Sequence, residues 1–284
     1  MFIRVNDGYG DGFLGQPFTK GGEQVSEGDA PHLLTILAGK SSYQPYLARA
    51  MANRATTVPK KFLRIVTSLS QVPKHLRGLF VSHGGRLTGG TIDRWTRMIY
   101  MIEPPGLRFH TRLEYALHEC VHLFAHPHAP TPQECPRPCI GAFQAEFGTG
   151  FGEGLTQVIT ENIMASQGIS LNPHDRPYED FAAVMRAVVP VFGIDAMARA
   201  YFFGDVASLR AAMEARWGAN NLSALTLHTS AGSKKRVLDW LPILEAAHKA
   251  RMAAEEARRK RLEELIRNSP KGDFPTPTRA RTLA

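Results

Sequence analysis

The chain of 284 residues has little cysteine, 3 in all, which excludes a disulfide framework as the source of its stability. Cys135 and Cys139 in "CPRPC" could close one small disulfide loop in an oxidising compartment, and free thiols are expected in a reducing one. Long apolar runs are also missing. Nothing approaches the roughly eighteen uninterrupted apolar residues that a membrane-spanning helix needs, so no membrane span is expected. The start, "MFIRVNDGYGDGF", lacks the basic-then-apolar layout of a signal peptide. The expectation is cytoplasmic synthesis, with secretion or injection that leaves the N-terminus uncut as an open route. No internal repeat is present.

An interleaved pattern of basic and aromatic residues is lacking as well, and base-stacking surfaces depend on it. The formal net charge of +8 would suit a nucleic-acid partner, but much of the excess lies in the last thirty-odd residues, where "RMAAEEARRKRLEELIR" mixes signs as a solvated helix does. No nucleic-acid partner is expected.

What is present divides into three parts. Residues 1–58 read as an irregular arm rich in Gly and Asp over the first thirty residues, then two short helices in "PHLLTILAGKSSYQPYLARAMANRA", separated at the Gly-Lys-Ser-Ser stretch. Residues 59–230 form the main domain. "KKFLRIVTSLSQVPKHL" and "RWTRMIYMIEPP" each supply a strand, with the glycine-rich "HGGRLTGG" as a loop or turn between them. Helices follow. Leu113, Leu117, Val121 and Phe124 mark one apolar face; "GEGLTQVITENIMASQG" repeats the pattern and ends at Gly168. "YEDFAAVMRAVVPVFG", "DAMARAYFFG" and "DVASLRAAMEARWG" read as three more helices, each closed by a glycine. Residues 231–284 hold a basic helix from about Leu238 to Ile266, supported by Glu255–Arg259, Glu256–Lys260 and Glu263–Arg267 pairs at i, i+4, and then a tail without periodicity that is expected to be disordered. The fold class is α+β: a small N-terminal β-sheet subdomain on a mainly helical C-terminal half, with an extended C-terminal helix.

The chemistry concentrates in "LEYALHECVHLFAHPH", residues 113–128, which holds four of the 11 histidines. His118, Glu119, Cys120, Val121 and His122 fit H-E-x-x-H. On a helix, positions i and i+4 lie one above the other, so two imidazoles can meet one metal ion. Glu119 is displaced around the helix, where it can act as general base toward a water on that ion without binding it.

A catalytic zinc site takes three protein ligands, so a third is required. His128 has the spacing of H-E-x-x-H-x-x-G-x-x-H, but Ala125 stands where that pattern needs a glycine to turn the chain. His126 falls four residues after His122, yet the following Pro127 disfavours helical geometry there. Glu153 in "FGEGLTQVITENI" sits between Gly152 and Gly154, which permit close backbone approach, and would complete a His-His-Glu set from a second helix. Gln157, one turn on, could hydrogen-bond a ligand imidazole from outside.

"ALHECVHLFAHPH" followed by "GEGLTQVIT" resembles the gluzincin zinc metallopeptidases. The likeness is greatest to small bacterial gluzincin-like enzymes in which a His-Pro follows the motif helix and "AYF-x-GD" comes later; here these are His126-Pro127 and "AYFFGD", residues 200 to 205. The resemblance covers about residues 60–218. It implies a zincin-like domain, Zn2+ held by His118, His122 and Glu153, Glu119 as base, and a protein or peptide substrate. The chain departs from the pattern at Gln157, where a glutamate is common, and in "TPQECPRPC", which resembles a private insertion. Tyr201 in "AYFFGD" is the first candidate donor to the developing oxyanion, with His174, Tyr178 and His228 as others. "RWTRMIYMI" is expected to be the sheet edge that a substrate peptide extends. Bacterial proteins of this kind include secreted or injected effectors and toxins, so an immunity or delivery-apparatus partner is part of the expectation. The competing expectation is a non-catalytic zincin-like binding or regulatory protein with a structural metal.

Overall fold

The run "MIYMI" has no polar position to turn toward water, a pattern that suits a strand covered on both faces and paired on both edges. In the computed structural model it forms β3 (Met98–Ile102), the middle strand of a three-stranded sheet in the order β1-β3-β2. The structure describes residues 29–54, 62–66, 68–80, 89–93, 96–102, 109–125, 141–169 and 178–268. β1 (Leu63–Val66) runs parallel to β3, with Leu63 opposite Ile99, and β2 (Gly89–Asp93) runs antiparallel, with Thr91 opposite Tyr100.

This order corrects the expectation that "RWTRMIYMI" is the edge. Its core, 98–102, is interior, and Ile99, Tyr100 and Met101 are buried. The edge next to β3 is β2, whose sequence, "GGTID", has one large apolar side chain and could not fill an interior position. Tyr100 joins Val66, Val72, Leu76 and Phe80 in one apolar cluster, formed with two short 3-10 stretches, Leu69–Gln71 and Lys74–Phe80.

α1 (Asp29–Leu37) and α2 (Gln44–Arg54) are the two expected short helices. α3 (Phe109–Ala125) carries the H-E-x-x-H residues and packs on β2, β3, α1, α2 and the later helices. The sequence predicts one apolar face for α3. From Leu113 to Ala125 it is instead buried on every side except at Tyr115, its polar residues included. Glu114, His118, Glu119 and His122 are therefore interior groups, and interior polar groups need partners. The C-terminal carbonyls of α3 have theirs: Arg97 donates to the Leu123 oxygen, and Arg54 to those of Phe124 and Ala125.

α4 (Ala142–Ser166) is two helical stretches joined at Gly148, whose φ of 83° is a conformation that glycine adopts without strain. α5 (Glu179–Phe192), α6 (Ile194–Phe203) and α7 (Val206–Trp217) are the three glycine-stopped helices, with Gly193, Gly204 and Gly218 all at positive φ. α8 (Ala219–Ser230) is not anticipated from the sequence, because its buried stripe is only Leu222, Leu225 and Thr229. α9 spans Lys234–Asn268.

Helix predominates, with one small mixed sheet in the N-terminal half. The chain divides into two compact units, Met1–Asp239 and Trp240–Ala284. No single helix among the described residues is long and apolar enough to cross a membrane. The arm over 1–28, His126, His128, Cys135, Cys139, His174 and the tail from 269 lie outside the described residues.

Candidate metal centre

α3 and α4 meet side by side, and the ligand set forms where they do. His118 Nε2 and His122 Nε2 lie 3.1 and 3.0 Å from one oxygen of Glu153, Oε2. All three donor atoms fall within 4.8 Å of one another. Tetrahedral zinc with bonds of about 2.0 Å separates its ligand atoms by about 3.3 Å, and the two histidine–glutamate distances are already close to that, so this His-His-Glu group could hold a metal ion. The chemistry of the donors, two imidazole nitrogens and one carboxylate oxygen, also fits. Burial favours the neutral form of Glu153, but the charge of His122 and hydrogen bonding with both histidines outweigh it and hold the carboxyl well below its ordinary range. The glycine beside it sets the position: a Cβ at Gly154 would stand 2.5 Å from the Phe181 carbonyl oxygen, so α5 crosses α4 next to the ligand.

Each imidazole has an outer partner that assigns its tautomer. Behind His122, Thr156 Oγ1 donates to the Gly152 carbonyl oxygen at 2.8 Å, which uses its only proton. Tyr201 must then donate to Thr156 Oγ1, and the Tyr201 oxygen accepts from His122 Nδ1, 3.2 Å away. Behind His118, Gln157 Nε2 donates to Glu114 Oε1, which turns Gln157 Oε1 to His118 Nδ1 at 3.0 Å, where it accepts. Both Nδ1 atoms thus donate outward, which leaves Nε2, the nitrogen turned to Glu153, as the atom a neutral ring would offer an ion.

Glu119 stands beside this set without belonging to it. It is 6% exposed and rests against β2, where a Cβ at Gly90 would lie 2.5 Å from its Cγ. The missing side chain at Gly90 is what gives the Glu119 carboxylate its room. Cys120, between the motif residues, is fully buried; burial and the charge of Glu119 push its thiol up, so it is a packing residue and not a nucleophile.

The expected oxyanion donor fares differently. The Tyr201 hydroxyl points to the outer side of His122, engaged with Nδ1 and Thr156, and is 4% exposed. That places the hydroxyl at Nδ1, on the side of the His122 ring away from the nitrogen that faces Glu153. Tyr178, another of the expected candidates, also lies against the ligand set. Its ring stacks on His118 with centroids 4.5 Å apart and planes 12° from parallel, and its φ is 61°, a left-handed conformation that costs an aromatic residue roughly 1 kcal/mol or more. Burial, then the negative charges of Glu153 and Glu119, push its hydroxyl well above the ordinary tyrosine range. It therefore stays a donor near both carboxylates. His228 lies on α8 and is not among the described residues that meet at the centre.

Glu114, Thr156 and Gly90 were not singled out from the sequence. Glu114 had a signal only in its spacing, four residues before His118 and so on the same face of α3 as both histidines. No family model, curated protein or solved structure matches this chain.

Proposed function

We propose that the protein is a zinc-dependent hydrolase of peptide bonds, a metalloendopeptidase of zincin-like build. The observation that carries this reading is Glu119, a buried carboxylate beside the ligand set, not part of it, in space opened by Gly90. A structural metal site needs no such group. A zinc ion held by His118, His122 and Glu153 would supply Lewis acidity to a water and to the scissile carbonyl.

The chain's own residues would do the rest. Glu119 takes the proton of the attacking water and passes it to the leaving amine, as a general base that becomes a general acid. Tyr178 donates to the oxygen on which charge develops. Tyr201 and Thr156 hold His122 in register, and Gln157 holds His118. β2, the outer strand of the sheet among the described residues, lies against Glu119, and pairing of an extended peptide along it favours a polypeptide over a compact small molecule.

The test is metal analysis together with cleavage of a general protein substrate, for the wild type and for Glu119→Gln. Equal zinc content with cleavage lost only in the variant is the expected result. Equal cleavage by both, or none by the zinc-loaded wild type, would reject the reading in favour of a binding protein with a structural ion.

A further inference from the structure

We infer that Glu114 is a positioning residue for the metal centre, acting through Gln157 on His118. It supplies a negative charge one amide away from the ligand imidazole. The inference rests on the zinc-site part of the proposed function but not on hydrolysis.

Glu114 is 0% exposed, and so is Gln157. Glu114 lies one helical turn before His118 on α3, and Gln157 one turn after Glu153 on α4, so the amide bridges the two ligand helices. Its two ends are not equivalent. Nε2 meets Glu114 Oε1 at 2.5 Å, and a carboxylate oxygen only accepts, so the amide cannot turn over without setting its own oxygen against that carboxylate. Oε1 is thereby committed to His118 Nδ1 at 3.0 Å. The consequence passes through the ring: Nδ1 keeps its proton, and Nε2 keeps its lone pair for the ion.

The contrast with His122 sharpens the role. Its outer contacts include Tyr201 and Thr156, which leads on to the Gly152 carbonyl. The His118 chain ends on the Glu114 carboxylate. A carboxylate at the end of a buried chain polarises each hydrogen bond along it, and this one ends on His118 Nδ1. Without Glu114 the amide loses the anchor that orients it, and either of its ends could face Nδ1. In that flipped state Nδ1 would have to accept, and His118 would carry its proton on Nε2, where the ion needs the lone pair.

The test places the charge at each position in turn. Zinc affinity is measured by competition with a chromophoric chelator for wild type, Glu114→Gln, Gln157→Glu and the double exchange Glu114→Gln with Gln157→Glu. Apo-protein melting temperatures serve as the folding control. Glu114→Gln keeps the shape and removes the charge, and it is expected to weaken zinc binding by about 10- to 100-fold, the usual effect of losing an outer partner. The double exchange returns a carboxylate to the chain, and most of that loss is expected to be recovered. The His118 Nδ1–H proton resonance should move upfield in Glu114→Gln and return downfield in the double exchange. Wild-type affinity in Glu114→Gln would overturn the inference, and so would a double exchange no tighter than Glu114→Gln. Failure of the wild type to bind zinc would overturn both readings. Zinc binding with these shifts but no cleavage would overturn the peptidase reading alone.

Discussion

Gly90 and Glu119 share one volume: the Cβ that residue 90 lacks would sit 2.5 Å from Glu119 Cγ and 2.9 Å from its Oε1. An edge strand thereby touches the proposed base, and the two cannot both carry bulk.

Gly90→Ala should consequently displace the Glu119 carboxylate and leave the ligands in place. A misplacement of about 1 Å costs on the order of 10²-fold in rate. We expect cleavage to fall by about that factor, with zinc content unchanged by metal analysis. A variant as active as wild type would show that Glu119 has slack, and would separate it from the role of base.

Zinc should bind the folded chain and not the unfolded one, so at a hundredfold excess over its Kd it would add about 2.7 kcal/mol. Differential scanning calorimetry should therefore show a higher melting temperature with zinc and a lower one after chelation. Glu153→Gln should abolish most of that difference. Its effect on affinity should exceed the about 10- to 100-fold expected for an outer partner.

Tyr178→Phe keeps the ring that stacks on His118 and removes only the hydroxyl. Loss of one donor to a developing oxyanion costs about 10²–10³ in kcat. The expected outcome is a drop of that order with KM and zinc affinity unchanged. Tyr201→Phe should behave in the opposite sense, weakening zinc binding through His122.

Tyr43 is 1% exposed, its hydroxyl has no hydrogen-bond partner among the described residues, and burial pushes its pKa up from 10.0 to about 12. Below pH 10 the tyrosine is neutral in both the folded and the unfolded chain. Between pH 10 and about 12 the unfolded chain loses this proton and the folded one keeps it, so stability falls as pH rises through that window. Tyr43→Phe should remove this component, on the order of 2 kcal/mol by pH 12, and should match or exceed wild-type stability at pH 7. Urea melts of both proteins across the window measure the difference.

The parts of the site that were legible in the sequence are those governed by short-range geometry. The i, i+4 spacing of His118 and His122 survives any packing, and Glu153 between glycines declares a close approach. The glycines after α5, α6 and α7 ended those helices as expected. Strand order was not legible, because β3 owes its central place to partners at 63–66 and 89–93 that no local period encodes. Tyr201 is expected from "AYFFGD" as an oxyanion donor, and its hydroxyl turns to the Nδ1 side of His122. Its direction depends on Thr156 and His122, 45 and 79 residues away. Glu114 escaped notice because an acid on a helix is ordinarily solvated, and only the packing of α4 against α3 encloses it.

The two arginines that end α3 give the centre a history as well as a shape. Arg54 reaches Phe124 across 70 residues, Arg97 reaches Leu123 across 26, and Glu153 reaches His118 across 35. Contacts so distant in sequence must await closure of the chain between them, which is the slow part of folding. Of the ligand set, only the paired histidines can meet early. The ion would therefore be a late arrival, seated after the rate-limiting step. It should slow the unfolding of the finished protein far more than it speeds its making.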